Sequence, residues 1–106
     1  MAVVSVTTAT AKPDRFEDLV AQARKIKALL EKCGGTNVRL LAALVAGEAT
    51  GSTALSFEAD DFTTYGRVFD KFLGDPDGQA LMDSTGTSAS PLAGGFQGTM
   101  WVDVPL

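Results

Sequence analysis

The chain has 106 residues, 45% of them hydrophobic and 21% charged, with a net charge of −4 and no histidine. This is the size and make-up of one globular domain spanning 1–106, and its acidity, with no Lys/Arg stripe interleaved with aromatics, speaks against a nucleic-acid partner. The missing histidine excludes a His-ligated metal or haem, a Ser-His-Asp or Cys-His nucleophile and a His general base.

A chain this short buries about 60–70% of the surface its unfolded form exposes, so pairing with a second copy is a natural way to bury more. Cys33 is the single cysteine and has no intramolecular disulfide partner, which suits a reducing compartment. The first residues, M-A-V-V-S-V-T-T-A-T, lack the basic region and longer apolar run of a signal peptide. No apolar stretch approaches the ~18–20 residues of a membrane span. A cytoplasmic protein with no membrane contact, no metal and no cofactor is expected.

Residues 2–10 alternate Val4, Val6 and Thr8 with Val3, Ser5 and Thr7, the pattern of a β-strand. Pro13 suits the first turn of a following helix over 14–33. Its apolar stripe is Phe16, Leu19, Val20, Ala23, Ile26, Leu30 and Cys33, and Gly34-Gly35 ends it. Residues 37–46 read as a strand apolar on both faces, 47–52 as a turn, and 53–58 as a second strand closing an antiparallel hairpin. Asp60 or Asp61 caps a second helix carrying Phe62, Tyr65, Val68, Phe69, Phe72 and Leu73. The run 74–78 interrupts it, 79–83 allows one further turn, and 84–95 is a long Ser/Thr/Gly loop of the kind that is commonly functional. Its Gly94-Gly95 is followed by no G-K-[ST], so it is not a phosphate loop. Residues 99–104 form the last strand.

The order strand, helix, strand, strand, helix, strand predicts an α+β, ferredoxin-like βαββαβ fold: a four-stranded antiparallel sheet with two helices on one face. If Leu44 lies opposite Leu55, then Ala42 faces Phe57. Together with Leu40, Val4, Val6, Met100, Val102 and Val104 they make the face the helices cover. The other face then carries Ser5, Thr7, Arg39, Leu41, Ala43, Val45, Ala54, Ser56, Glu58, Thr99, Trp101 and Asp103. A one-residue slip would exchange the two faces. Leu41, Val45 and Trp101 together are unusual for a solvated face and point to a second sheet packed over it, with room for a ligand; the alternative is a sheet half exposed in a monomer.

The runs V-V-S-V-T-T-A-T and K-P-D-R-F-E-D-L, the Gly-Gly after the first helix, and A-L-S-F-E-A-D-D-F-T-T-Y passing from strand into helix resemble the dimeric α+β barrel superfamily. That superfamily includes the antibiotic-biosynthesis monooxygenase-like domains. The resemblance implies a homodimer packed sheet against sheet, with small ligands held between sheet and helices or inside the barrel. Its members include cofactor-independent oxygenases, haem-degrading enzymes, lyases and proteins with no known activity, so the resemblance leaves the activity open among these. Haem-binding members rely on a histidine, which this chain lacks.

Five residues are candidates for contact with a small organic ligand: Arg39, Ser56, Glu58, Trp101 and Asp103. Arg39 can hold a carboxylate or enolate through its guanidinium, or be an exposed edge residue paired with Glu58 or Asp103. Trp101 can wall an aromatic ligand or anchor the dimer. Glu58 and Asp103 can act as general bases if buried, but both lie near strand ends, where solvation is expected. Tyr65 has core spacing, and Cys33 lacks the electropositive setting that activates a thiol. No catalytic residue stands out. The function expected is small-molecule binding by a homodimer, monooxygenase-like if catalytic; the alternative is a structural or regulatory dimer with no small-molecule substrate.

Overall fold

The computed structural model describes residues 2–44, 51–85 and 87–106. Val45, Ala46 and positions 47–50 of the expected turn lie outside them, as does residue 86 of the expected loop. The elements are β1 (Val3–Ala9), α1 (Phe16–Lys32), β2 (Thr36–Ala42), β3 (Thr53–Ala59), α2 (Phe62–Gly74), α3 (Pro76–Ser84) and β4 (Gln97–Val102). All neighbouring strands are antiparallel, in the order β2-β3-β1-β4. This is the expected ferredoxin-like arrangement, with α3 as a full helix where the sequence suggested a single turn. The Cα envelope measures 38 × 36 × 17 Å, two layers deep, so the helices cover one face of the sheet and leave the other bare.

Local chemistry accounts for the helix ends. Glu17 and Asp18 sit in the first turn of α1 and Lys32 in its last, matching the helix dipole. Gly34, at φ +104°, supplies the left-handed residue that ends it. Pro13 lies ahead of α1 rather than in its first turn, because Asp14 adopts φ +62° and the helix starts only at Phe16. Asp61 caps α2 by accepting from the Thr64 N–H at 2.7 Å. Asp75 caps α3 by accepting from the Asp77 N–H at 2.9 Å and pairs with Lys32 of α1 at 3.3 Å. These capping bonds are the leading cause of the lowered pKa of both carboxylates.

The packed core joins Leu29 and Leu30 of α1 and Cys33 at its C-cap with Val38, Phe57, Val68 and Phe72. Tyr65 stacks on Phe57 at 5.6 Å between ring centroids and on Phe69 at 5.9 Å, confirming its packing role. Phe16, expected on the buried stripe, is 50% exposed because it opens the helix at the edge of the layer.

Three expectations about the sheet are corrected. In the hairpin Leu40, not Leu44, lies opposite Leu55, and Arg39 opposite Ser56. The slip is four residues, an even number, so each hairpin side chain keeps its expected face. Leu44 itself lies beyond the end of β2 and is 84% exposed. In β1 the faces are exchanged. Ser5 pairs with Phe57 and Thr7 with Leu55, so Val3, Ser5 and Thr7 lie under the helices while Val4 and Val6 lie on the bare face. Both alternating sets of β1 are small or β-branched, so alternation alone could not choose between them. Val104, placed in the core from sequence, is 74% exposed past the end of β4.

Two outcomes follow from these contacts. A Cβ on Gly78 would come within 1.9 Å of the Phe72 carbonyl oxygen. Gly78→Ala therefore destabilises by about 1–3 kcal/mol in denaturant titration, where Ala in a free helix would be stabilising. Because the Asp61 carboxyl has a lowered pKa in the folded state, its contribution is present above the ordinary value of 3.8 and fades as pH falls through the folded value. Asp61→Ala thus lowers the melting temperature at pH 7, and the gap to the parent protein closes in strong acid.

Candidate functional site

The core fills one end of the space between sheet and helices, and the other end is hollow. There Ser5, Thr7 and Ala9 of β1 and Thr53 of β3 present small side chains, and Ala23 does the same from α1. Small residues facing one another leave a cavity of about 160 Å³. Its walls are Leu19 and Ile26 of α1, Leu40 and Leu55 of the hairpin, and Phe57, Phe69 and Phe72 on the core side. Among the described residues no ionisable side chain lines it.

The far end is closed by Met82 and Thr85 from the end of α3 and by Leu92 and Phe96 from the segment before β4. The same four residues border an outer groove with Lys12, Ser88 and Gly95, so this end is the mouth. The segment is tied down rather than loose. Lys12 N–H donates to Pro91 O and Ala93 N–H to Thr10 O, both at 2.7 Å. Lys12 Nζ donates to Ser88 O and Arg15 Nη2 to Ala89 O, both at 3.1 Å. Residues 88–93 of the loop expected from its Ser/Thr/Gly content are therefore a fixed rim to the cavity, with Phe96 half exposed at its edge.

The residues singled out from sequence lie elsewhere. Arg39 sits opposite Ser56, while Glu58 and Trp101 flank Val4 in the same row of the sheet. All four occupy the bare face, and none lines the cavity. Trp101 is 62% exposed, its indole N–H donating to Thr99 Oγ1 at 3.0 Å. Leu41, on the same face, is 46% exposed. Glu58 accepts from the side-chain amide of Asn37, which takes φ +48° where β2 bulges. Ser56 is buried between its neighbours. Arg39 makes no ion pair with either Glu58 or Asp103. Asp103 lies past the end of β4, where its N–H donates to Ala2 O at 3.2 Å.

Sequence reasoning missed the cavity residues. The available signal was a cluster of small side chains, Ser5, Thr7, Ala9 and Ala23, in two elements that face each other across the cavity. Without the β1–β3 register nothing said they faced each other. Asp61 and Asp75, the carboxylates with lowered pKa, are helix caps outside the cavity lining. Among the described residues no cluster of three or more Cys, Asp or Glu could hold a metal ion. No helix among them is long and apolar enough to cross a membrane.

No family model matches the chain, and no curated protein matches it either. Solved structures do. Rv0793 from Mycobacterium tuberculosis superimposes with a TM-score of 0.72 at 13% identity, covering 100% of this chain and 98% of that one. A candidate antibiotic biosynthesis monooxygenase from Bordetella bronchiseptica gives 0.73 at 17% identity, covering 98% of both chains. A NIPSNAP-like domain protein from Burkholderia xenovorans gives 0.73 at 12%, covering 97% of this chain and 85% of the other. What these likenesses show is the fold: the chain has the same ferredoxin-like α+β architecture as these three structures.

Proposed function

We propose that the protein is a homodimer that binds a small, mainly apolar organic molecule in the cavity between sheet and helices. The observation that carries this is the cavity itself: about 160 Å³, walled mainly by apolar side chains, with a defined mouth. An engineered apolar cavity of about 150 Å³ is enough to take benzene. Dimerisation is supported by the bare sheet face, where Leu41 and Trp101 stand exposed beside Val4 and Val6. A second copy packed sheet against sheet would cover all of them at once. A cytoplasmic location belongs to the same reading, supported by the single free thiol, Cys33.

The geometry supports binding more strongly than catalysis. Cofactor-independent oxygenation needs a base to form the substrate carbanion that meets oxygen. Glu58 lies on the opposite face of the sheet, Asp103 beyond β4, and Tyr65 is packed between Phe57 and Phe69. An oxygenase built on this cavity would depend on a substrate acidic enough to lose its proton without help from a side chain there. A ligand role for Arg39, Ser56, Glu58, Trp101 and Asp103 would belong to a second site, in the seam between the two sheets. Its support is the face shared by the first four.

Ala23→Phe fills the cavity from α1 and is expected to abolish binding of benzene-sized probes in calorimetry while the protein remains folded and dimeric; unchanged binding would remove the cavity from the account. Trp101→Asp and Leu41→Asp are expected to weaken the dimer by about 2 kcal/mol or more in sedimentation equilibrium, as loss of an interface anchor does. A parent protein that stays monomeric at every concentration contradicts the dimer.

A further inference from the structure

We propose that Ser5 and Thr7 are the specificity residues of the cavity, and that its ligand is a small neutral molecule bearing a hydroxyl or carbonyl oxygen. The inference rests on the cavity being the binding site. Ser5 is only 7% exposed, in the central strand β1 between Phe57 of β3 and Met100 of β4. A buried hydroxyl is normally hydrogen-bonded. Other hydroxyls of the lining obey that rule: Thr53 Oγ1 donates to Ala9 O at 2.9 Å and Thr85 Oγ1 to Leu81 O at 2.9 Å. Neither Ser5 nor Thr7 has a hydrogen-bond partner for its hydroxyl among the described residues; no fully enclosed side-chain oxygen among them lacks a partner, so these hydroxyls are not sealed off, and both residues line the cavity.

The two positions are alternate residues of one strand, about 6.6–6.8 Å apart along it, so both side chains lie on the face that floors the cavity. They offer donors and acceptors at a fixed place on the sheet side of a mainly apolar lining, whose other polar side chains are Thr53 and Thr85, already bonded to the backbone, and Gln22 on α1. A ligand oxygen set over them recovers the bonds the protein leaves open, whereas a hydrocarbon leaves them open. A charged ligand gains nothing comparable, because no ionisable side chain in the lining offsets the loss of its hydration. Size, neutrality and an oxygen function together define the class.

The test compares benzene, phenol and benzoate at pH 7, counting only binding that Ala23→Phe abolishes. The parent protein should bind phenol more tightly than benzene, and benzoate least. Ser5→Ala and Thr7→Val, each close in shape to the residue replaced, should lower phenol affinity about tenfold between them and leave benzene affinity unchanged or raised. The phenol-to-benzene ratio is read within each variant, so a general loss of stability does not imitate the effect. An unchanged ratio in both variants, or benzoate binding more tightly than phenol, overturns this inference while leaving the cavity as a binding site. Failure of both benzene and phenol to bind the parent protein overturns the cavity reading, and this inference with it.

Discussion

The register of β1 against β3 is the constraint on which the rest of this structure depends. Because Ser5 stands opposite Phe57 and Thr7 opposite Leu55, the centre of the sheet turns small polar side chains toward the helices and valines toward the open. One residue of slip would reverse this, placing Val4 and Val6 under α1 and filling the hollow with branched side chains. The cavity and the apolar bare face are thus two consequences of one pairing. The same choice that empties part of the core puts Val4 and Val6 on the uncovered side that also carries Trp101 and Leu41.

Stability is concentrated accordingly. The end of the layer containing Cys33, Val38, Phe57, Val68 and Phe72 is closely packed, and Asp75 ties α1 to the junction of α2 and α3 there through Lys32. The hollow end is held by backbone bonds between residues 10–12 and 91–93, not by dense side-chain packing. A protein that leaves an apolar cavity forgoes dispersion and burial that a larger side chain would supply. Here that loss is confined to the region where a ligand would replace the missing contacts. The rigid end holds the strands in register while the cavity end stays accessible through its rim.

Much of the fold was legible in the sequence because it rests on strong local signals. The stripe from Leu19 to Cys33 and the glycine at position 34 define α1, and Asp61 caps α2. The alternation 53–58 and the composition of the chain order imply the ferredoxin-like arrangement. The bare face was half legible: Arg39, Ser56, Glu58 and Trp101 do share it, since an even slip of the hairpin preserves face. What sequence could not show was the sign of β1, whose two faces are both composed of small or β-branched residues. The cavity depended on that sign, so Ser5 and Thr7 were placed on the wrong side. The bulge at Asn37 was equally hidden, because it depends on how Thr36 and Arg39 meet β3 rather than on a local motif.

The central claim is that ligand enters the space between sheet and helices rather than resting on the bare face. An amide-resolved NMR titration of the protein with benzene tests it most directly. The account predicts shifts confined to residues around the hollow, such as Thr7, Ala23, Thr53 and Met82, with Arg39, Ala54 and Trp101 unmoved. Shifts centred on Arg39, Ala54 and Trp101, with the cavity residues silent, would contradict it.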